Sequence, residues 1–316
     1  MRALLKWTAA GVVIVAAAYF AIGGWVLSGV LRNVITVDGA LAGIGTQTTD
    51  PFQLNFDGDP QKTFGFAFEE AAVQSELGPL PAWIVPGEGG TGDVWVVYAH
   101  GIAGRRENGY KALSVAQPLG ITTLLFSYRN DPAAPAAPEG IYGFGVTEWR
   151  DLEAAVKLAE ERGARRIVLA GDSMGGAIIG EFLRNSPQVR RIVAAALDSP
   201  ALDMKAVVRG FAARIGFPLP CAVAWTARQM MPLRVDIDFS DAVTLPVLAA
   251  QPRYLFNVHG AADSVVPVSI SDELNARRVG MTYLRTGADH VQSWQEDPER
   301  YRSELDGFLR RVVAGD

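Results

Sequence analysis

Residues 166–176 read Arg166-Ile167-Val168-Leu169-Ala170-Gly171-Asp172-Ser173-Met174-Gly175-Gly176. The first five are a short β-rich run, and the residues from 176 to 184 continue as a helix. A serine on the tight turn between a strand and a helix requires small neighbours two positions to either side, here Gly171 and Gly175. Such a turn lifts the hydroxyl above the sheet edge, and the helix N-terminus sets amide donors beside it. A chain with 33 glycines also reaches this spacing by accident. A capping serine in a glycine-rich turn has the same appearance. The flanking elements and the partner residues must decide.

Working outward, the pattern alternates between short apolar runs and amphipathic stretches. Strands are predicted at 80–85, 94–99, 121–128, 166–170, 192–197, 253–258 and 281–284, with a glycine-rich turn over 87–92. The run at 94–99 is apolar almost throughout, as in a central strand covered on both faces. Helices are predicted at 148–162, with Leu152, Val156 and Ala159 on one face, and at 301–313, with Leu305, Phe308 and Val312 in register. Strands alternating with helices imply an α/β fold, a mostly parallel central sheet flanked by helices.

The chemistry gathers at the strand ends. Three histidines are available. His100 and His259 each end a predicted strand, whereas His290 lies in a loop between the last strand and the last helix, free to reach across to Ser173. A catalytic imidazole must touch the nucleophile and be oriented by a carboxylate. Asp263 follows the 253–258 strand, in a position to hold the second ring nitrogen of His290. Isolated, His290 is an ordinary loop histidine and Asp263 an ordinary turn residue. Rival acids are Asp198, which follows the 192–197 strand and is expected to brace a neighbouring loop, Asp172, whose side chain projects away from Ser173, and Asp289, too close to His290 to hold its ring.

From about residue 64 to 313 the chain resembles the α/β-hydrolases. The order Ser173, Asp263, His290 matches that family's Ser–Asp–His order. Gly260-x-x-Asp263-x-x-Val266-Pro267 resembles the acid loop after its seventh strand, as in the prolyl-oligopeptidase type. His100-Gly101-Ile102 resembles the loop after its third strand. The resemblance implies catalytic Ser173, Asp263 and His290, with oxyanion donors in the backbone N–H groups of Ile102 and Met174. It implies cleavage of a carboxylic ester or thioester of a small-molecule or lipid acyl substrate through an acyl-enzyme, with no metal or organic cofactor. A peptidase of prolyl-oligopeptidase type and a catalytically silent binding protein on the same fold are the alternatives.

The N-terminus is of another kind. Residues 7–31 carry no formal charge and are flanked by Arg2 and Lys6 before and Arg32 after. As a helix this run spans about 38 Å, enough to cross a hydrocarbon core of about 30 Å. We read 1–32 as a single-pass signal anchor, with a cleaved signal ending near Ala16-Ala17-Ala18 as the alternative. The basic residues before the span leave the catalytic domain extracytoplasmic. Gly24 and Ser28 have the spacing of a small-residue helix contact, which lipid-facing packing explains equally well. Residues 33–63 read as a stalk and 64–316 as one hydrolase domain. Residues 203–245 read as a short helical lid whose Phe211, Phe217, Trp225, Met230 and Met231 suit an apolar pocket. Arg105, Arg106, Asn108, Arg129, Asn130 and Asp131 read as loop-bracing groups. With 49% hydrophobic residues, 20% charged residues and a net charge of −5, the chain is globular and lacks the basic stripe that nucleic acid requires. Cys221, the only cysteine, forms no internal disulfide and reads as a small buried side chain.

Overall fold

The computed structural model describes residues 2–43, 45–89, 92–239, 242–251 and 253–315, with side chains from Lys6 onward. Gly90 and Thr91 of the expected 87–92 turn, and Ser240 and Asp241 of the expected lid, lie outside the described residues.

Eight strands form one sheet: β1 (Glu69–Ser75), β2 (Gly78–Val85), β3 (Val94–Ala99), β4 (Thr122–Phe126), β5 (Arg166–Asp172), β6 (Ile192–Asp198), β7 (Tyr254–Gly260) and β8 (Thr282–Thr286). Their order is β1-β2-β4-β3-β5-β6-β7-β8. β1–β2 and β2–β4 are antiparallel, and every pairing from β4 to β8 is parallel. All of β3 and β4 is buried, which is why those strands read as unbroken apolar runs. β1 was not anticipated: only Val73 of its seven residues is buried, so it lacks the alternation of a half-buried strand. The order reverses at β3, which lies between β4 and β5. The crevice outside the carboxyl ends of strands at such a point is where α/β sheets place ligands.

The helices are α1 (Arg2–Ile35), α2 (Val37–Ala42), α3 (Pro60–Phe64), α4 (Tyr110–Ala116), α5 (Trp149–Glu161), α6 (Met174–Asn185), α7 (Met204–Arg214), α8 (Pro220–Met230), α9 (Leu245–Ala250), α10 (Ser269–Arg277), α11 (Ser293–Glu296) and α12 (Pro298–Ala314). One face of the sheet packs on α5 and α6 through Leu152, Val156, Ile178 and Phe182. The other packs on α4 and α12 through Tyr110, Leu113, Leu305 and Phe308. Between β6 and β7 the chain leaves the sheet to form α7 and α8, which build a separate small core around Val208, Ala212, Val223 and Ala227.

Part of the described 33–63 segment lies against the domain. Phe52 packs on Trp294 with ring centroids 4.6 Å apart, Phe56 meets Tyr110 at 5.9 Å, and the Gln295 side-chain amide donates to the Phe52 carbonyl at 2.6 Å. Aromatic residues spaced among polar turns carry no periodic signal, so this segment reads as a linker from its residues alone.

The described part of α1 holds an apolar segment, Lys6–Ile35, long enough to cross a membrane. Residues 7–18 are exposed on every side. Beyond them a stripe of Gly23, Gly24, Leu27 and Ser28 is buried against α8 and the segment after it. A Cβ on Gly24 would lie 2.6 Å from the Thr226 methyl, so only glycine lets the two helices approach. Arg234 locks the contact: its Nε donates to Ser28 Oγ at 2.8 Å, its Nη2 donates to the Trp25 carbonyl at 2.8 Å, and the guanidinium lies 3.7 Å from the Trp25 ring centroid. Gly24 and Ser28 thus serve an intrachain contact. Cys221 is exposed, in contrast to the buried position expected for it.

Candidate active site

Ser173 sits between the end of β5 and the start of α6 with φ 49° and ψ −117°, a backbone region that non-glycine residues occupy at a cost of about 1–3 kcal/mol. The glycines around it are required by close approach: a Cβ on Gly171 would lie 2.6 Å from the Ala99 carbonyl oxygen, and one on Gly175 would lie 2.0 Å from it. Those contacts press the turn onto the end of β3, and the Ser173 side chain stands 7% exposed at the sheet edge.

The parallel register aligns the remaining pieces. Asp172 pairs with Asp198, Asp198 with Val258, and Gly260 with Thr286, so the loops after β5, β7 and β8 emerge side by side. There the Ser173 hydroxyl and His290 Nε2 are 2.9 Å apart, and His290 Nδ1 is 2.8 Å from Asp263 Oδ2. With the proton on Nδ1, the imidazole donates to the carboxylate and accepts from the serine. Asp263 is itself held: its Oδ1 accepts from the Val265 and Val266 N–H groups at 2.8 and 2.7 Å. Burial opposes its ionisation, but the hydrogen bonds from His259 and His290 outweigh that, and its carboxyl lies well below the usual carboxylate range.

The His259 contact was not foreseen. This fully buried ring places Nε2 3.0 Å from Asp263 Oδ2 and 3.0 Å from the Val266 carbonyl, while its Nδ1 is 2.6 Å from Ser271 Oγ. The sequence signal was present, a histidine at the end of a strand four residues before the acid, but such a residue is also a common core histidine.

The rival acids take supporting places. Asp198 Oδ1 accepts from the Ser199 hydroxyl at 3.1 Å, and Ser199 Oγ accepts from the Val291 N–H at 3.2 Å. Lys111, 3.7 Å from Asp198 Oδ2, donates to the Val291 carbonyl at 3.0 Å. Both bonds fasten the residue after His290, which adopts φ 56°, a strained value for a β-branched residue. Asp289 Oδ1 accepts from the N–H groups of Ser264 and His290, tying the loop after β7 to the loop after β8. Asp172 accepts from the Tyr98 hydroxyl at 2.6 Å and makes no hydrogen bond to Ser173. Burial raises its pKa.

On the other side of Ser173 lies the loop His100-Gly101-Ile102. The buried His100 ring stacks on Tyr128 with centroids 4.1 Å apart and contacts Asp131 at 2.7 Å and the Gly101 carbonyl at 2.9 Å. Burial alone would lower the pKa of His100, and the Asp131 charge outweighs it, so the pKa is raised. A Cβ on Gly101 would lie 3.1 Å from the Ser173 Cβ, so this loop borders Ser173 directly. Met174 is the first residue of α6, a position whose N–H has no acceptor within the helix. Arg129 is buried against Asp151 and Glu76, Asn130 bonds to Ile141 and Ala137, and Arg106 stacks on Trp83. These groups brace loops.

A cavity of about 310 Å³ opens onto Ser173. It is lined by Leu31, Val34 and Ile35 of α1, Val207 and Phe211 of α7, and Met231. Arg214 and Arg228 are the charged groups in its described lining. Of the aromatics expected there, Phe211 lines the cavity, Phe217 packs beside Gly23 of α1, and Trp225 faces outward at 60% exposure.

No family model matches the chain, and no curated protein matches it. Solved structures do. An esterase of Pyrococcus furiosus superposes with a TM-score of 0.63 at 22% identity, over 85% of this chain and 98% of its own. An α/β serine hydrolase without lid from Xanthomonas campestris gives 0.54 at 16% identity, over 78% and 94%. A thermophilic esterase of Thermogutta terrifontis gives 0.53 at 16%, over 77% and 99%. The fold is that of the α/β-hydrolases. The strand order and the crossing at β3 place Ser173, Asp263 and His290 of this α/β-hydrolase fold at the carboxyl ends of β5, β7 and β8. Among the described residues, no cluster of three or more His, Cys, Asp or Glu side chains has the geometry to hold a metal ion.

Proposed function

We propose that this protein is a serine hydrolase that cleaves a carboxylic ester or thioester through an acyl-enzyme. The observation that carries the reading is the continuous chain of contacts from Ser173 Oγ to His290 at 2.9 Å and from His290 to Asp263 at 2.8 Å.

Ser173 Oγ attacks the substrate carbonyl while His290 Nε2 takes its proton. The oxyanion is held by the N–H groups of Ile102 and Met174, donors fixed before the charge develops. The tetrahedral intermediate collapses, the alcohol or thiol leaves with the proton from His290, and the acyl group remains on Ser173. Water then attacks the acyl-enzyme, His290 takes a proton from that water, and collapse returns the proton to Ser173 and releases the acid. Asp263, kept ionised by its donors, fixes the Nδ1–H tautomer and stabilises the imidazolium. The apolar cavity beside Ser173 favours an acyl chain over a peptide side. We read α1 as the membrane anchor, with α7 and α8 as a lid and the catalytic domain on the extracytoplasmic side.

Hydrolysis of 4-nitrophenyl esters by wild type and Ser173→Ala tests the assignment. Wild type is expected to turn over and to be labelled by a fluorophosphonate, and the variant to do neither. Equal activity in the two overturns it.

A further inference from the structure

The wall of the cavity is unusual in its origin, because one side belongs to the helix that we read as the membrane span. Leu31, Val34 and Ile35 reach the cavity from α1, about one to two turns beyond the stripe that packs on α8. The helix also sets the level of the bilayer. Spanning a hydrocarbon core of about 30 Å takes about 20 helical residues. Residues 7–18 stand free of the protein and account for about 18 Å of it. The remaining length must come from Tyr19 onward, where α1 already runs beside α8. Trp25, under the Arg234 guanidinium at 3.7 Å, lies where an interfacial aromatic belongs.

The tip of the helical insertion is fastened below that level. The Tyr19 hydroxyl donates to the Pro218 carbonyl at 2.7 Å, and Phe217 and Val223 are the nearest side chains to Gly23. Tyr19 precedes Trp25 by six residues, which is about 9 Å along the helix. That depth matches the 5–10 Å to which interfacial elements sink apolar groups. The tip is composed accordingly: Ile215, Leu219 and Trp225 are 46%, 65% and 60% exposed. Large apolar side chains exposed beside an apolar helix have a natural solvent in lipid.

We infer that the α7–α8 insertion is embedded in the outer part of the leaflet, and that Ser173 acts on the acyl ester of a bilayer lipid. Its chain passes from the leaflet into the cavity bounded by α1 and α7 without crossing water. This rests on the readings of Ser173 as nucleophile and α1 as a membrane span, and it deepens them by naming the substrate class and its route. The hydrolysis consumes one water and yields the free fatty acid, which partitions back into the leaflet, and the deacylated lipid.

The test uses the full chain reconstituted in phosphatidylcholine vesicles. Cys221, exposed and two residues from Leu219, is the only cysteine and takes a bimane label at the tip. The label is expected to be quenched by bromolipid in the leaflet and protected from iodide in the water. Quenching by iodide with none by bromolipid overturns the embedding. In parallel, Leu219→Asp/Trp225→Asp removes the apolar tip without touching the cavity lining. Hydrolysis of a palmitoyl ester held in the vesicles is expected to fall by about tenfold or more, with water-soluble 4-nitrophenyl butyrate cleaved within about twofold of wild type. An unchanged rate on the vesicle ester overturns the route. If the double variant misfolds and both rates vanish, the Cys221 label on wild type decides. Failure of wild type itself to cleave 4-nitrophenyl butyrate strikes the Ser173 reading instead, while the label still reports on the embedding.

Discussion

His259→Leu removes one donor from a buried carboxylate while nearly preserving side-chain volume. Asp263 Oδ2 receives His259 Nε2 at 3.0 Å and His290 Nδ1 at 2.8 Å. A hydrogen bond to a charged group is worth about 1.5–3 kcal/mol. The substitution also strands the Ser271 hydroxyl, now 2.6 Å from His259 Nδ1, at a further cost of about 1 kcal/mol. The expected loss is roughly 3 kcal/mol, or about 6–12 °C in Tm for a domain of this size. The pH dependence has a definite sign. Hydrogen bonds hold the Asp263 carboxyl below its usual range in the folded state. Its contribution is therefore complete above the unfolded value of about 4 and is lost as pH falls through the folded value. The stability gap between wild type and variant should be full at pH 7 and should narrow below about pH 4. Activity falls as well, because Asp263 loses one of the contacts that aim it at His290. A misplacement of about 1 Å costs up to about 100-fold in kcat, with KM for a short ester little changed. Urea unfolding at pH 7 and at about pH 2, combined with steady-state kinetics at pH 7, makes the test. An unaltered unfolding midpoint and unaltered kcat would refute the role given to His259.

Asp263→Asn is expected to lower kcat by about 1,000- to 10,000-fold by forcing the wrong imidazole tautomer, whereas Asp198→Asn should stay within about tenfold, since it reaches His290 only indirectly, through Ser199, Lys111 and Val291. Hydrolysis of one short ester by both variants decides which acid serves the histidine. Gly175→Ala drives a methyl to 2.0 Å from the Ala99 carbonyl, backbone that cannot move aside. A destabilisation of at least about 3 kcal/mol is expected by thermal denaturation. Val34→Trp fills the cavity from the α1 side, so kcat/KM across a series of 4-nitrophenyl esters should shift its optimum toward shorter acyl chains.

What the sequence revealed was local or ordered along the chain. The strand–serine–helix turn is a matter of five residues, and Asp263 and His290 follow it at strand ends in a fixed order. What it hid depended on neighbours distant in the chain. A helix apolar at almost every position has no visible face, so the spacing of Gly24 and Ser28 fits a helix contact but does not name α8 as the partner. The same holds for Arg234, whose partners Trp25 and Ser28 lie some 200 residues earlier. β1 escaped because an edge strand with one buried residue has no alternation to detect. The role of His259 escaped because a strand-end histidine is equally suited to a core, and only the register of β7 against the acid loop distinguishes the two.

The seam between α1 and the helical insertion bears on how this protein is to be handled. Cutting a chain after its first hydrophobic segment is the usual way to obtain a soluble fragment. Here a fragment beginning after Ile35 would lose Leu31, Val34 and Ile35 from the cavity and would uncover the side of α8 on which Gly23 and Gly24 pack. Its pocket would lack the wall that α1 supplies, and its chain-length preference would describe that more open pocket. With α1 read as the anchor and Ser173 as the nucleophile, the tethering segment also forms part of the pocket, and specificity has to be measured with α1 in place.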